Sequence, residues 1–369
     1  MTQRVALTLA APLLAIVLAL SVSSAVLRAT GHSPVDVLAL LADQLTQVGE
    51  LVKTANRAGP YYISGVAVAV GFKMNLFNIG VEGQYRLAGV TAAAAGAALP
   101  LPGPLRLLAV VAVAMAVGGA WAGIAGVLRA HRGVSEVIST IMLNAIALGI
   151  TPFVLTRWFR EEEVEGAVDF GIRTREIPSG HLPDLDALVP GALPGGVHLN
   201  AFVVIAALVG VGYWVLVWHS RFGFDLRASG SNPHAARASG VDARRMTVVA
   251  MAISGAIAGL VGLSSIIGAA PHRYTDESFL AGLGFTGIAI ALLGRNHPVG
   301  IALGALLWAF MDVARTPMSR ADLPREITTI MQGIIVLSVV VAYSVVVRVA
   351  RRRDTAALAR QVDPAGATA

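Results

Sequence analysis

Six long apolar stretches restrict the folds open to this chain more than any other feature of its sequence. Each runs for about 18 residues or more with at most one charged side chain, which is the length an α-helix needs to cross a bilayer. They are residues 5–27, 107–128, 134–156, 201–218, 248–270 and 327–347. Since 56% of the 369 residues are hydrophobic and only 14% are charged, the sequence predicts an integral membrane protein.

Four shorter apolar segments are interrupted by glycine, proline, asparagine or charged residues. They are residues 58–72, 87–99, 279–294 and 298–311. These segments make two short interrupted helix pairs, one in each half of the chain. Such pairs are informative because broken helices at membrane depth line cavities or are buried in protein. Counting all ten segments predicts an all-α polytopic fold, with a transmembrane domain over residues 1–350 and a disordered tail at 351–369.

The distribution of lysine and arginine in the loops predicts the orientation of the chain. Residues 219–247 hold five Arg and two Asp, whereas residues 158–199 hold eight acidic residues and three Arg. Because basic loops stay in the cytoplasm, we expect 219–247 and both termini to be cytoplasmic and 158–199 to be extracytoplasmic, in the cell membrane. The acidic loop either docks a partner or is simply solvated. The first apolar stretch is either a retained helix or a cleaved signal peptide.

Several kinds of chemistry are absent from the sequence. The chain has no cysteine, no GxxxxGK[ST] phosphate-binding loop, no HExxH and no GxSxG motif. We therefore predict no enzymatic activity, no catalytic residue, no metal site and no cofactor bound by this chain. The basic groups are divided among membrane-proximal loops, which argues against a nucleic-acid surface. Energy for transport must then come from a partner or from an ion gradient.

A polar segment at residues 231–245, with the sequence SNPHAARASGVDARR, lies between two apolar stretches. Asn232 suits an N-cap, Pro233 suits the first helical turn and Gly240 suits the C-terminal cap. The segment therefore predicts one short helix from Asn232 to about Ser239. A helix of this length is unstable alone, so we expect it to lie against a surface at the membrane face.

Polar residues at three places between or within the apolar segments are candidates for the wall of a transport path, since polar groups at membrane depth need partners or water. The candidates are Asn75, Asn78, Glu82, Gln84, Ser139, Thr140, Asn144 and Thr286. For the first place, residues 71–84, an ordinary cytoplasmic turn with Lys73 and Glu82 as solvated charges is an equally good interpretation.

The second place, residues 133–144, puts four polar residues on one helical stripe: Glu136, Ser139, Thr140 and Asn144. Such a stripe faces protein or water. We expect Glu136 to form an ion pair with Arg132 at the membrane edge. Asn144 either lines the path or bridges two helices.

The third place, residues 282–300, combines glycines that allow close helix approach with a turn around His297. Thr286 either binds a ligand or, as is more common, bonds its own helix backbone. His297 is expected to be a polar loop residue, because no companion ligand or base accompanies it.

Four strings together resemble one family of membrane proteins. They are FNIGVEGQ at 77–84, GVSEVISTIMLN at 133–144, GSNPHAARASGVD at 230–242 and GFTGIAIALLGRNHPVG at 284–300. In order and spacing the chain resembles the permease subunits of bacterial ABC importers, in the branched-chain amino acid and simple sugar permease superfamily. The first two strings resemble its nucleoside branch.

The resemblance implies ten transmembrane helices and import of nucleosides or related simple sugars by alternating access. It implies three partners besides membrane lipid: an ABC ATPase that binds the ATP, a second permease that is commonly a different chain, and an extracytoplasmic binding protein. The residues that match the family's coupling helix and its flanks, and so the ATPase contact, are Asn232, Pro233, Arg237, Ser239, Gly240, Arg244 and Arg245.

Other functions compete with this expectation. A ribose, other sugar or branched-chain amino acid permease of the same superfamily is the nearest alternative. An ion-coupled secondary transporter needs no ATPase but needs an ionisable residue deep in a helix. A membrane-embedded enzyme or scaffold needs a nucleophile and base or a metal set, and the sequence offers neither.

Overall fold

The computed structural model describes residues 2–161, 171–188, 193, 196–275, 281–324 and 326–362, with the backbone alone described for residues 2–12 and 350–362. Within these ranges the chain forms α-helices and no β-strand, apart from three isolated bridges. The helices are α1 Thr2–Ala29, α2 Pro34–Thr46, α3 Val48–Phe72, α4 Val81–Ala98, α5 Gly103–Arg132, α6 Glu136–Val154, α7 Phe202–Trp218, α8 Arg221–Ser231, α9 Pro233–Ala238, α10 Ala243–Gly259, α11 Leu283–Leu293, α12 Pro298–Val313, α13 Arg315–Arg320 and α14 Glu326–Val362. The all-α prediction is confirmed for the described residues.

The helices fall into two compact units. The larger unit, Val48–Phe310, contains α3 to α11 and most of α12, and α10 lies at its centre against α3, α4 and α5. The smaller unit joins Met1–Gln47 to Met311–Ala369 and is built on the packing of α1 against α14. All the candidate transport and coupling residues belong to the larger unit.

Within the described residues, five helical segments are long and apolar enough to cross a membrane, or six if a bent pair counts as one span. They are Gly103–Arg132, Glu136–Phe159, Ala243–Ser265, Pro298–Arg320 and Glu326–Val349, and the bent pair is Phe202–Trp218 with Arg221–Ser231. A multi-pass membrane protein is therefore confirmed. The count of ten spans and the orientation of the termini stay predictions.

Two of the segments predicted to be short are longer in the structure. The segment predicted at 58–72 is the end of α3, which has 25 residues and accommodates Pro60 in its interior. Charged residues in the first turns of α3 hide this length from a hydropathy window, and Pro60 is buried among neighbouring helices that tolerate it. The segment predicted at 298–311 continues through α13 as a span candidate. By contrast, α11 is short, with 11 residues.

α5 and α10 make the most extensive helix contact in the larger unit, and small residues let their backbones lie close together. A Cβ added at Gly118 of α5 would meet the backbone oxygen of Gly255 in α10, and one added at Gly259 would meet the oxygen of Ala114. Close approach of this kind is how small residues stabilise helix pairs in membranes. It fixes α10, which carries part of the site below.

The C-terminal tail differs in part from its prediction. The backbone of α14 is helical as far as Val362, and so the first part of the segment predicted to be disordered is helical. Its alanine and arginine residues have high helix propensity, which outweighs the polar composition. Residues 363–369 lie outside the described part of the chain.

Candidate functional site: a buried polar cluster and an exposed short helix

The break between α3 and α4 begins with a tight turn at Lys73–Asn75. Asn75 adopts the left-handed conformation with φ of 56°, which asparagine tolerates better than most residues. Its side-chain amide donates to the backbone oxygen of Gly230 at 2.6 Å. Since Gly230 lies near the end of α8, this bond joins the turn to the segment that leads into the short helix α9.

A reciprocal amide pair is at the centre of the polar cluster. Asn78 Nδ2 donates to Gln84 Oε1 at 2.9 Å, and Gln84 Nε2 donates back to Asn78 Oδ1 at 2.8 Å. Asn78 also donates to Ser254 Oγ in α10, and Ser254 donates to the oxygen of Ala67 in α3. All three polar side chains are buried. The cluster therefore ties α3, α4 and α10 together through bonds that have no access to water.

Glu82 holds the beginning of α11. Its Oε1 accepts bonds from Gly282 N at 3.0 Å, Tyr85 OH at 2.8 Å and Arg86 Nε at 3.1 Å, and its Oε2 accepts from Gly284 N at 3.0 Å. The residue at the N-cap of α11, Gly282, has no side chain to cap the helix. A carboxylate from another helix thus satisfies two free N–H groups at the positive end of the α11 dipole. Glu82 is 5% exposed, so it is not the solvated loop charge of the alternative interpretation.

The polar stripe of α6 faces protein, because all four of its members are buried. Asn144 Oδ1 accepts a bond from Gly83 N, and Thr140 Oγ1 accepts from Ile79 N at 3.3 Å. Asn144 therefore bridges α6 and α4, one of the two roles predicted for it. Ser139 Oγ has no hydrogen-bond partner among the described residues.

Glu136 forms an ion pair as predicted, but the predicted partner, Arg132, is wrong. Glu136 Oε2 lies 3.3 Å from Arg129 Nε. α5 ends at Arg132, and Gly133 reverses the chain in the left-handed conformation. Because α6 then returns alongside α5, its first residue comes level with the preceding turn of α5, and this places Glu136 beside Arg129.

Thr286 and its neighbouring glycines lie where α11 meets α3 and α4. A Cβ added at Gly287 would meet Ser64 Oγ, and one added at Gly284 would meet the backbone of Glu82, so both glycines are packing positions. Thr286 is half-buried, and its hydroxyl makes no hydrogen bond to the described residues, its own helix backbone included. His297 is exposed in the loop between α11 and α12, as predicted.

The predicted short helix is confirmed as α9. Asn232 Oδ1 caps it by accepting from His234 N at 3.0 Å and Ala235 N at 3.1 Å, and Pro233 is its first residue. Gly240 follows with φ of +85°. Of the residues of α9 only Ala236 is buried. A six-residue helix with one buried side chain is marginal on its own.

The basic side chains around α9 point away from the protein. Arg237, Arg244 and Arg245 are all exposed, as are Ser239 and Gly240. Asp242 caps α10 by accepting from Arg244 N and Arg245 N, which holds the two arginines at the start of that helix. The result is an exposed, positively charged ledge, and we call residues 232–245 the basic ledge.

The acidic loop predicted at 158–199 contains an ion-pair network where it is described. Arg273 Nη1 lies 2.9 Å from Glu161 and its Nη2 lies 2.6 Å from Glu176, while Arg173 pairs with Glu161 at 2.7 Å. Further along, His198 Nδ1 donates to Asp186 at 2.7 Å, and this bond raises the pKa of His198. Glu162, Glu163 and Glu165 of the acidic run lie outside the described residues.

Residues 51–340 of the chain match the family described as the permease component of the branched-chain amino acid transport system. The chain belongs to this family. It is a membrane permease, and the predicted resemblance to the permease subunits of ABC importers is confirmed.

Several characterised permeases are similar over most of the chain. The guanosine ABC transporter permease protein NupP of Bacillus subtilis is 33% identical over 90% of this permease and 93% of its own length. The glucose ABC transporter permease protein TsgB13 of Haloferax volcanii is 33% identical over 88% and 85%. The nucleoside ABC transporter permease protein NupB of Lactococcus lactis is 29% identical over 90% of both chains.

Sequence reasoning missed several members of the polar cluster in this permease. Ser64 and Ser254 are single hydroxyls within apolar helices, and each bonds a backbone oxygen of another segment. Their isolation among apolar residues was a usable signal. Arg86, which pairs with Glu82 at i and i+4, was also detectable, because that spacing places two charges on one helix face.

Proposed function

We propose that this permease is the transmembrane subunit of an ATP-driven importer of nucleosides. Two of the similar permeases above carry guanosine or nucleoside in their names, at 33% and 29% identity over most of both chains. A sugar is the second candidate for the substrate, because the glucose permease is as similar as the guanosine one. A ribose permease is more distant, at 24%.

The observation that supports ATP coupling best is the basic ledge. α9 is capped at both ends, exposed and held by a single buried side chain, which is the form of an element that completes its packing on another protein. Arg237, Arg244 and Arg245 are exposed and are placed to pair with acidic groups of that protein. We assign the role of partner to a cytoplasmic ATPase, which supplies the nucleotide site that the sequence lacks.

The bond between Asn75 and Gly230 provides a route from the ledge to the polar cluster. α8 and α9 are consecutive, and Gly230 packs so closely on the turn at Lys73–Asn75 that a Cβ there would meet the backbone of Lys73. A displacement of α9 would therefore move this turn, and with it Asn78. ATP binding by the partner would shift the population between inward-open and outward-open states through this connection.

The candidate path residues divide into two groups. Six of the eight use their polar atoms to hold segments of the chain together, so we assign them to the framework of the path in this state: Asn75, Asn78, Glu82, Gln84, Thr140 and Asn144. Ser139 and Thr286 keep hydroxyls without a protein partner in the described part of the chain. We propose that these two hydroxyls bind the hydroxyl or ring nitrogen groups of the substrate.

The complete importer contains further chains. We propose a second permease of different sequence, ATPase domains on the cytoplasmic face and a binding protein that docks on the loop containing Glu161 and Glu176. The permease has ten spans with both termini in the cytoplasm and lies in the cell membrane. It carries out no covalent chemistry and binds no metal, and ATP is bound by the partner ATPase.

An ion-coupled mechanism is the alternative from another class. It needs a carboxylate that can release and rebind an ion or proton. Glu82 is the buried carboxylate closest to that description, but its oxygens accept four hydrogen bonds, one of them from Arg86. A carboxylate held in this way serves packing better than ion exchange.

Substitution of Arg237 tests the proposal against a matched control. We expect Arg237→Glu to abolish copurification of the ATPase and ATP-dependent guanosine uptake, while Arg132→Glu, an exposed arginine predicted on the same face, leaves both intact. Uptake that persists without any copurified ATPase would favour the ion-coupled alternative. Binding of guanosine, glucose, ribose and leucine to the cognate binding protein then identifies the substrate.

A further inference from the structure

A groove in the larger unit runs between α3, α7 and α12. It has a volume of about 520 Å³ and is lined by residues of these three helices and of the turn before α12. Nearly all of them are Ala, Gly, Val, Leu or Pro, and those with side-chain polar atoms are Tyr62, Trp214 and His297. None of the polar cluster residues lines it, so it is separate from the proposed path.

The length of the groove matches one leaflet of a bilayer. Along α7 its lining runs from Val203 to Trp214, which at 1.5 Å per residue is about 16 Å. This is about half of the ~30 Å hydrocarbon core. Small side chains create the space: Ala207 and Ala302 line it from opposite helices, and Gly210 lets the Tyr62 hydroxyl come against the backbone of α7.

One end of the groove is polar, and a lysine lies beyond it. His297 and Trp214 line that end, and the ring of Trp218 lies 5.6 Å from the ring of His297. Lys73 Nζ lies 4.8 Å from the centre of the Trp218 ring. Aromatic and basic side chains at one end are typical of the level of the lipid headgroups.

The lining discriminates between possible ligands. A nucleoside placed in the groove would leave most of its hydroxyl and ring nitrogen groups buried without hydrogen-bond partners, which opposes binding. An acyl chain has no such groups, and it gains from burial against apolar walls. A phosphate at the polar end would lie on the side of the groove where the Lys73 ammonium lies over the Trp218 ring. We propose that this groove binds one acyl chain of a phospholipid, with its phosphate at the end marked by His297.

Photolabelling of the assembled transporter tests this site. The transporter is reconstituted with a phospholipid that carries a diazirine near the end of one acyl chain, and the labelled peptides are mapped by mass spectrometry. Labels are expected on the segments 203–214 and 298–306. Ala207→Trp fills the groove, and Leu208→Trp, at a neighbouring position that is 64% exposed and outside the lining, is the matched control.

We expect labelling of these segments to fall about tenfold in Ala207→Trp, as for a loss of about 1.4 kcal/mol of binding free energy, and to be unchanged in Leu208→Trp. Ala302→Trp with its neighbour Leu303→Trp repeats the comparison from α12 if the first variant does not assemble. Equal labelling in filled and control variants would overturn the proposal. So would crosslinking of the groove to another polypeptide, or competition of guanosine with the label.

Discussion

Removal of the Glu82 carboxylate should loosen α11 from the rest of the permease. In Glu82→Ala, the N–H groups of Gly282 and Gly284 lose their acceptor, and the largely buried guanidinium of Arg86 loses the carboxylate with which it forms an ion pair. Leaving a buried donor unsatisfied costs about 1–3 kcal/mol, and breaking a buried ion pair costs about 3–5 kcal/mol. Since these terms share one carboxylate and do not add fully, we expect a loss of about 4 kcal/mol.

Two further variants separate the contributions. Glu82→Gln keeps one oxygen acceptor but loses the charge, so we expect a loss of about 1–3 kcal/mol. Ser64→Ala removes a single neutral bond, the one from Ser64 Oγ to Leu283 O at 2.7 Å, and should cost about 1 kcal/mol. It serves as the control for a change that affects the same end of α11.

Unfolding of purified permease in mixed micelles, followed by tryptophan fluorescence as the denaturing detergent is increased, gives the relative stabilities. Uptake assays on the same variants give function. The cap interpretation predicts that stability falls in the order wild type, Ser64→Ala, Glu82→Gln, Glu82→Ala. If Glu82→Ala were as stable as wild type while Glu82→Gln abolished uptake, Glu82 would be a group of the transport path and not a cap.

Three other predictions follow from single contacts. Gly118→Ala should destabilise the permease by about 1–3 kcal/mol through overpacking against α10. Gly123→Ala on the same helix, with nothing within 4 Å of the added Cβ, should be neutral or slightly stabilising in the same unfolding assay. Equal effects of the two variants would contradict the close packing of α5 on α10. Asp186→Asn should lower the pH midpoint for modification of His198 by diethyl pyrocarbonate, because the bond to Asp186 raises the pKa of His198. In the wild type the ion pair is fully formed below the ordinary histidine pKa of about 6.5 and is lost as the pH rises through the raised pKa. An unchanged midpoint would refute the pairing. Asn232→Ala should cost α9 about 1 kcal/mol of capping and weaken ATPase copurification, while Asn232→Asp should retain both; a stronger loss in the aspartate variant would point to charge and not capping.

The local structure of the ledge and of the polar stripe was predictable, because each depends on residues close in sequence. Asn232 begins α9 through its side-chain cap and Gly240 follows it in the left-handed conformation. The spacing of Thr140 and Asn144 places them on one face of any helix. Both predictions are confirmed as structure, whereas the roles of these residues in coupling and transport stay predictions.

The role of Glu82 as a cap could not be predicted, because its partners Gly282 and Gly284 come from a helix two hundred residues away. A sequence window shows a charge between apolar segments, and only packing shows what it neutralises. The partner of Glu136 escaped prediction for a related reason: the reversal at Gly133 determines which turn of α5 meets α6. The full length of α3 was hidden by charged first turns and by Pro60.

Disulfide crosslinking at the short helix tests most directly whether this permease is driven by an ATPase. The chain has no cysteine, so Ser239→Cys introduces a single thiol at the end of α9. We predict that oxidation of the assembled transporter joins this thiol to a cysteine placed on the ATPase surface, with a yield that changes when ATP is added. No adduct from a transporter that still takes up substrate would contradict the account.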